Sequence, residues 1–157
     1  MQSSDAPESC WRQFLRDSGQ GTSGLAPYPT DSFGDNPELA DELGGLVVAG
    51  VKTATCSALW EWEAQGLSPP AAGDRTIILD GTGEPLCIIE TTAIEIRPFE
   101  GVDAAFACDE GEDDRTLASW RREHWKYFSR VLPKIGRQPV PDMPLVCERF
   151  RLVYAWR

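Results

Sequence analysis

The chain has 157 residues, 41% of them apolar, six tryptophans and a formal net charge of −10. That length and apolar content suit one domain with a real core, and the charge disfavours non-specific binding to nucleic acid or to an anionic membrane. No apolar run is long enough to span a bilayer, and the start Met1-Gln2-Ser3-Ser4-Asp5 lacks the basic and apolar segments of a secretory signal, so a cytoplasmic protein without a membrane partner is expected.

In chain order, residues 1–10 read as a frayed start and Trp11–Leu15 as a short helix with an apolar face. Residues 18–32, rich in Gly, Ser, Pro and Thr, read as a loop. A helix is predicted over 37–49. Asp35 or Asn36 caps it, Pro37 suits its first turn, and Leu39, Leu43, Leu46 and Val47 share one face before Gly50 stops it. Residues 59–65 add a helical turn or two, ended by Pro69-Pro70. Arg75–Asp80 and Leu86–Arg97 read as strands joined by the hairpin loop Gly81–Pro85. Val102–Ala107 is a short helical segment that runs into the acidic stretch Asp109–Asp114. A longer helix follows over 115–132, with Leu117, Trp120, Trp125, Phe128 and Leu132 near one side. After a Pro-rich connection, Leu145–Trp156 alternates as the last strand. The order helices, strands, helices, strand contains no repeated βαβ unit. It predicts an α+β fold with a mixed or antiparallel sheet curling toward a barrel.

The run Ala49-Gly50-Val51-Lys52-Thr53-Ala54-Thr55-Cys56-Ser57 stands out, because it places a lysine and several hydroxyls directly after a helix stop. A cleft for a polar or anionic ligand uses that mixture. Five cysteines at 10, 56, 87, 108 and 147 are odd in number, form no C-x-x-C pair and accompany a single histidine. That pattern argues against a zinc site of His and Cys, and for free, mostly buried thiols in a reducing compartment.

Several separated segments resemble one family. Phe33-Gly34-Asp35, Glu38–Leu43, Gly50-x-Lys52-Thr53-Ala54-Thr55, Asp80-Gly81 and Cys87–Thr92 carry the resemblance, followed by Glu110-Gly111-Glu112, Trp120 to Ser129 and Val146–Phe150. In that order they are similar to the ASCH (activating signal cointegrator homology) family over roughly residues 33–156. The resemblance implies a PUA-like fold, a small mixed or antiparallel β-barrel with flanking helices. It makes 33–157 the ASCH domain and 1–32 an N-terminal helix and loop extension. It further implies a cleft beside the Gly-x-Lys-x-x-Thr segment for RNA or a modified nucleoside, with no DNA partner expected. Family members are associated with RNA binding, with ribonuclease activity and with removal of the acetyl group from 4-acetylcytidine. The family pattern often continues to an arginine where this chain has Ser57, so a bidentate contact is missing here.

In the amidohydrolase branch of the family the matching lysine and threonine work with a glutamate. The resemblance therefore assigns the catalytic roles to Lys52, Thr55 and Glu110, with Glu112 as the rival glutamate. Lys52 acts as a cation on a developing oxyanion, since a nearby carboxylate opposes its use as a base. Thr55 is a hydroxyl nucleophile or positions water. Thr53 and Ser57 are ligand hydrogen bonders, Trp60 is a stacking platform for a base, and Ser129 matches a serine that recurs in the branch. No residue is assigned to a metal. If the protein is a nuclease, Mg or Mn would be expected on carboxylates of the 109–114 stretch. His124 reads as a packed histidine. Ribonuclease and amidohydrolase readings both stand at this point, beside a non-catalytic module that binds RNA or a modified base.

Overall fold

A computed structural model describes residues 6–19 and 29–156. The expectations for residues 1–5 and 20–28 lie outside the described residues. Helix α1 is Ala6–Asp17, strand β1 Thr30–Asp31, α2 Pro37–Val48, β2 Ala54–Ala58, α3 Leu59–Ala64, β3 Arg75–Leu79 and β4 Pro85–Pro98. Then follow α4 Ala104–Glu110, α5 Leu117–Val131 and β5 Pro144–Ala155, with single 3-10 turns at Phe99–Gly101 and Leu132–Ile135. The fold is α+β. Its five strands take the order β1-β3-β4-β5-β2, with β1 parallel to β3 and the β3–β4 and β2–β5 pairs antiparallel. This is the expected mixed sheet, left unclosed among the described residues. No helix among them is long and apolar enough to cross a membrane.

Local chemistry sets the helix ends. Asn36 accepts a hydrogen bond from the Leu39 amide, with Pro37 in the first turn of α2. Asp103 caps α4 by accepting from the Phe106 amide at 2.9 Å. Thr116 caps α5 through the Ser119 amide, which moves the start of that helix to Leu117. Helix α4 extends to Glu110, beyond the predicted Ala107, so the acidic stretch begins inside a helix.

Two compact units are evident. One draws on the described residues up to Gly50, on Gly73–Glu90 and on residues 151–156. Its core joins Cys10, Phe14 and Leu15 of α1 to Ile77 and Ile88 of the β3–β4 pair. The Asp80 side chain closes its hairpin by accepting from Thr82 and Glu84 amides, which helps hold its carboxyl below the usual range against burial. The second unit comprises Val51–Ala72 and Thr91–Phe150. Its core includes Ala54 and Ala58 of β2, Phe106 of α4, Trp120 and Phe128 of α5, and Leu145 of β5. In β2 the residues Ala54, Cys56 and Ala58 face this core, with Cys56 opposite Cys147 of β5. The residues between them, Thr55 and Ser57, therefore point to the other face.

All five cysteines are free thiols, and of these only Cys108 is exposed. Burial pushes Cys10 up to about 11 and Cys87 and Cys147 up to about 12. With a disulfide reagent near pH 8, one thiol is expected to react rapidly and four only on unfolding. Two or more fast thiols in the folded protein, counted by absorbance, would contradict this burial.

Candidate functional site

The site lies within the second unit and is built around Lys52. Helix α2 ends, Gly50 takes a left-handed turn at φ 79°, and the chain then enters β2 with the Lys52 side chain directed inward. That side chain is 0% exposed. Its ammonium donates to Ala54 O at 2.9 Å, Glu110 Oε1 at 2.9 Å and Glu112 Oε2 at 2.6 Å, with Glu110 O at 3.3 Å. An ammonium has three protons, so these acceptors use all of them.

Two carboxylates reach one ammonium because of the residue between them. Gly111 closes α4 in the left-handed conformation at φ 74°. This reverses the chain, so that Glu110 and Glu112 aim at the same point. A Cβ on Gly111 would stand 2.6 Å from the carbonyl oxygen of Val51. The close approach is pinned by the Thr53 amide, which donates to Asp109 O at 2.8 Å.

Glu110 is also held from its other side. Its Oε2 accepts from Trp120 Nε1 at 2.9 Å and lies 3.4 Å from His124 Nε2. His124 Nδ1 donates to the Trp120 carbonyl at 2.9 Å, and its ring stacks on the Trp120 indole with centroids 4.2 Å apart. A carbonyl only accepts, so Nδ1 carries a proton. The carboxylate 3.4 Å from Nε2 favours a second proton there.

Burial alone would pull His124 and Lys52 down, but the carboxylates outweigh it and both stand above their ordinary values. Burial alone would push Glu110 up. Lys52 and His124 reverse that and hold it well below the carboxylate range. Glu112 is raised, because burial and the adjacent Glu110 exceed what Lys52 returns. The Cys56 thiol is raised strongly by burial and by Glu110, whose carboxylate accepts its hydrogen.

The structure thus brings Lys52 and Glu110 together, with Glu112 on the same ammonium. The other predicted residues lie elsewhere. Thr55 is half-buried on the face of β2 opposite Cys56, and no hydrogen bond joins it to the cluster among the described residues. Exposed Thr53 donates from Oγ1 to Asp109 O at 3.3 Å. Ser57 accepts from Trp62 Nε1 at 2.8 Å, so its hydroxyl holds α3 in place. Trp60 packs against the core of this unit, with the Arg137 guanidinium 4.3 Å above its ring. Ser129 is exposed on α5 and bonds back to Trp125 O at 2.7 Å. The acidic stretch does not gather its carboxylates at one point for Mg or Mn. Asp109 pairs with Arg149, Asp114 binds Thr116, and Glu110 and Glu112 are spent on Lys52. His124 is more than a packed histidine. Its spacing of four from Trp120 on one helix was the available signal that the two rings meet.

The comparisons with known proteins show the family and the fold. Residues 30–154 match the ASCH domain model. The chain belongs to the ASCH domain family. This ASCH domain is similar to the crystal structure of protein EF3133 from Enterococcus faecalis V583. The two are 41% identical, with a TM-score of 0.85 over 95% of this chain and 88% of that one. It is also similar to the ASCH domain from Lactobacillus crispatus JV V101, at 29% identity and a TM-score of 0.86, covering 96% of this chain and 95% of the other. Among curated proteins no relative matches. The PUA-like α+β fold and the family are therefore those that the sequence resemblance implies.

Proposed function

We propose that this ASCH domain hydrolyses a neutral amide on an RNA-derived nucleoside, the N-acetyl group of 4-acetylcytidine, with Glu112 as the carboxyl that acts on the ligand. The observation that carries this reading is accessibility within the cluster. The Glu112 side chain is 18% exposed, against 0% for Lys52 and 1% for Glu110. Among the described residues Glu112 is engaged through Oε2, by Lys52, which leaves Oε1 for a water or a leaving amine. Amide hydrolysis needs a proton taken from water and a proton given to the amine, and one carboxyl performs both in turn. Lys52 and Glu110 are positioning residues: the Lys52 ammonium, itself held by Glu110, fixes the Glu112 carboxylate through its 2.6 Å hydrogen bond to Oε2. A neutral amide suits the site better than a phosphodiester. Lys52 is already neutralised by two carboxylates, and the chain carries a net charge of −10.

The test is mass spectrometry of a short oligonucleotide bearing one 4-acetylcytidine, and of the free nucleoside, with wild type and Glu112→Gln. The expected result is loss of the acetyl mass with the chain intact, slowed by at least about 100-fold in Glu112→Gln. The glutamine oxygen still accepts from Lys52, so the variant keeps its fold. Chain fragments would replace this reading with a ribonuclease. A second reading is a non-catalytic module for RNA or a modified base, favoured by the full internal satisfaction of Lys52 and Glu110. Binding without turnover, unchanged in Glu112→Gln, would establish it.

A further inference from the structure

We infer that Cys56, Glu110 and His124 form a binding site for a thiophilic divalent cation of the zinc class. One sulfur, one carboxylate oxygen and one imidazole nitrogen from these residues lie within 4.8 Å of one another. Zinc bonds of about 2.0–2.3 Å put tetrahedral ligand atoms about 3.5 Å apart, so the donors need to close by little more than about 1 Å. They come from three elements, the strand β2, the end of α4 and the middle of α5. Each is therefore held by regular structure and not by a loop.

The surroundings already do what a metal's outer shell does. His124 spends Nδ1 on the Trp120 carbonyl at 2.9 Å, which leaves Nε2 as the nitrogen aimed at Glu110. Stacking on Trp120 fixes the plane of the ring. Lys52 and the Trp120 indole N–H orient the two oxygens of Glu110. Ligation takes Cys56 as the thiolate and His124 through an unprotonated Nε2, so cation binding releases protons.

The donor set selects the ion. Thiolate and imidazole favour zinc-like cations, whereas Mg and Mn prefer all-oxygen sites. Three protein ligands leave a fourth position open. In the sequence, the odd number of cysteines, the lack of a C-x-x-C pair and the single histidine argue against such a site. The fold is what joins the three residues. This inference does not depend on the proposed hydrolysis, and its readouts are spectroscopic.

Reduced protein, stripped with chelator, is titrated with Co2+ alone at neutral pH. The expected result is saturation at one ion per chain, with thiolate-to-cobalt charge transfer in the near ultraviolet and the intense visible bands of a tetrahedral site. One equivalent of Zn2+ removes both. Cys56→Ser loses the charge-transfer band, and His124→Gln binds at least about tenfold more weakly. Cys108→Ser leaves the spectrum unchanged, and circular dichroism confirms that each variant is folded. Absence of a charge-transfer band in wild type under excess Co2+ overturns the site. So does a band that survives Cys56→Ser or vanishes in Cys108→Ser, since either marks an adventitious thiol. Glu112→Gln keeps the cobalt spectrum, so the metal site and the hydrolysis reading fail independently.

Discussion

Lys52→Met is expected to cost about 3–5 kcal/mol of folding stability, the range for breaking a buried ion pair from one side. The reason is what stays behind. Methionine matches the length of the aliphatic stem, so the loss is not one of packing. Removing the ammonium leaves Glu110, 1% exposed, with one cation where it had two, and leaves Glu112 facing Glu110 with none between them. A carboxylate stripped of its partner in a dry site either pays the desolvation cost or takes up a proton. Urea denaturation of Lys52→Met beside Lys52→Met/Glu110→Gln measures this directly. The double variant is expected to recover part of the loss, because the glutamine no longer carries the uncompensated charge. A single-variant cost below about 1 kcal/mol would show that the cluster is solvated and would remove the basis for treating it as one unit. A practical consequence follows for activity measurements. Loss of turnover in a Lys52 variant reports on the fold as much as on the chemistry, whereas Glu112→Gln keeps the hydrogen bond to Lys52 and separates the two.

Elements with strong local chemistry were legible from the sequence. The Asn36-Pro37 start of α2 and the alternating residues of β5 depend on neighbours in the chain, and they appear where expected. The α4 boundary was not, because the Asp103 cap and the left-handed Gly111 together extend that helix into an acidic run that reads as loop. At the site, Lys52 and Glu110 were legible only through the family motif, since nothing local says that a lysine after a helix stop will be buried. The separation of Thr55 from this cluster was legible in β2. Ala54, Cys56 and Ala58 alternate as the small, core-facing residues, and a strand period of two puts Thr55 opposite. Cys56 joins the cluster through tertiary packing that no spacing announces, and the spacing of four between Trp120 and His124 announces their stacking but not the approach of His124 to Glu110.

Gly111→Ala is the second large effect, and it tests the geometry that makes the cluster. The left-handed conformation at φ 74° costs an alanine about 1–2 kcal/mol by itself. Here the new Cβ would also stand 2.6 Å from Val51 O and 3.0 Å from Lys52 Cα, both backbone atoms that cannot rotate away. The end of α4 then has to separate from the segment leading into β2. That breaks the Thr53 to Asp109 hydrogen bond of 2.8 Å and swings Glu112 off Lys52. A total loss of more than about 3 kcal/mol is expected. Gly136 supplies the control, because it has the same backbone sign, φ 75°, with nothing within 4 Å of a built Cβ. Gly136→Ala pays only the conformational cost of about 1–2 kcal/mol. Thermal denaturation of the two variants side by side isolates the clash. Equal losses would mean that the approach of Gly111 to Val51 is not tight, and that the convergence of Glu110 and Glu112 on Lys52 does not depend on a glycine.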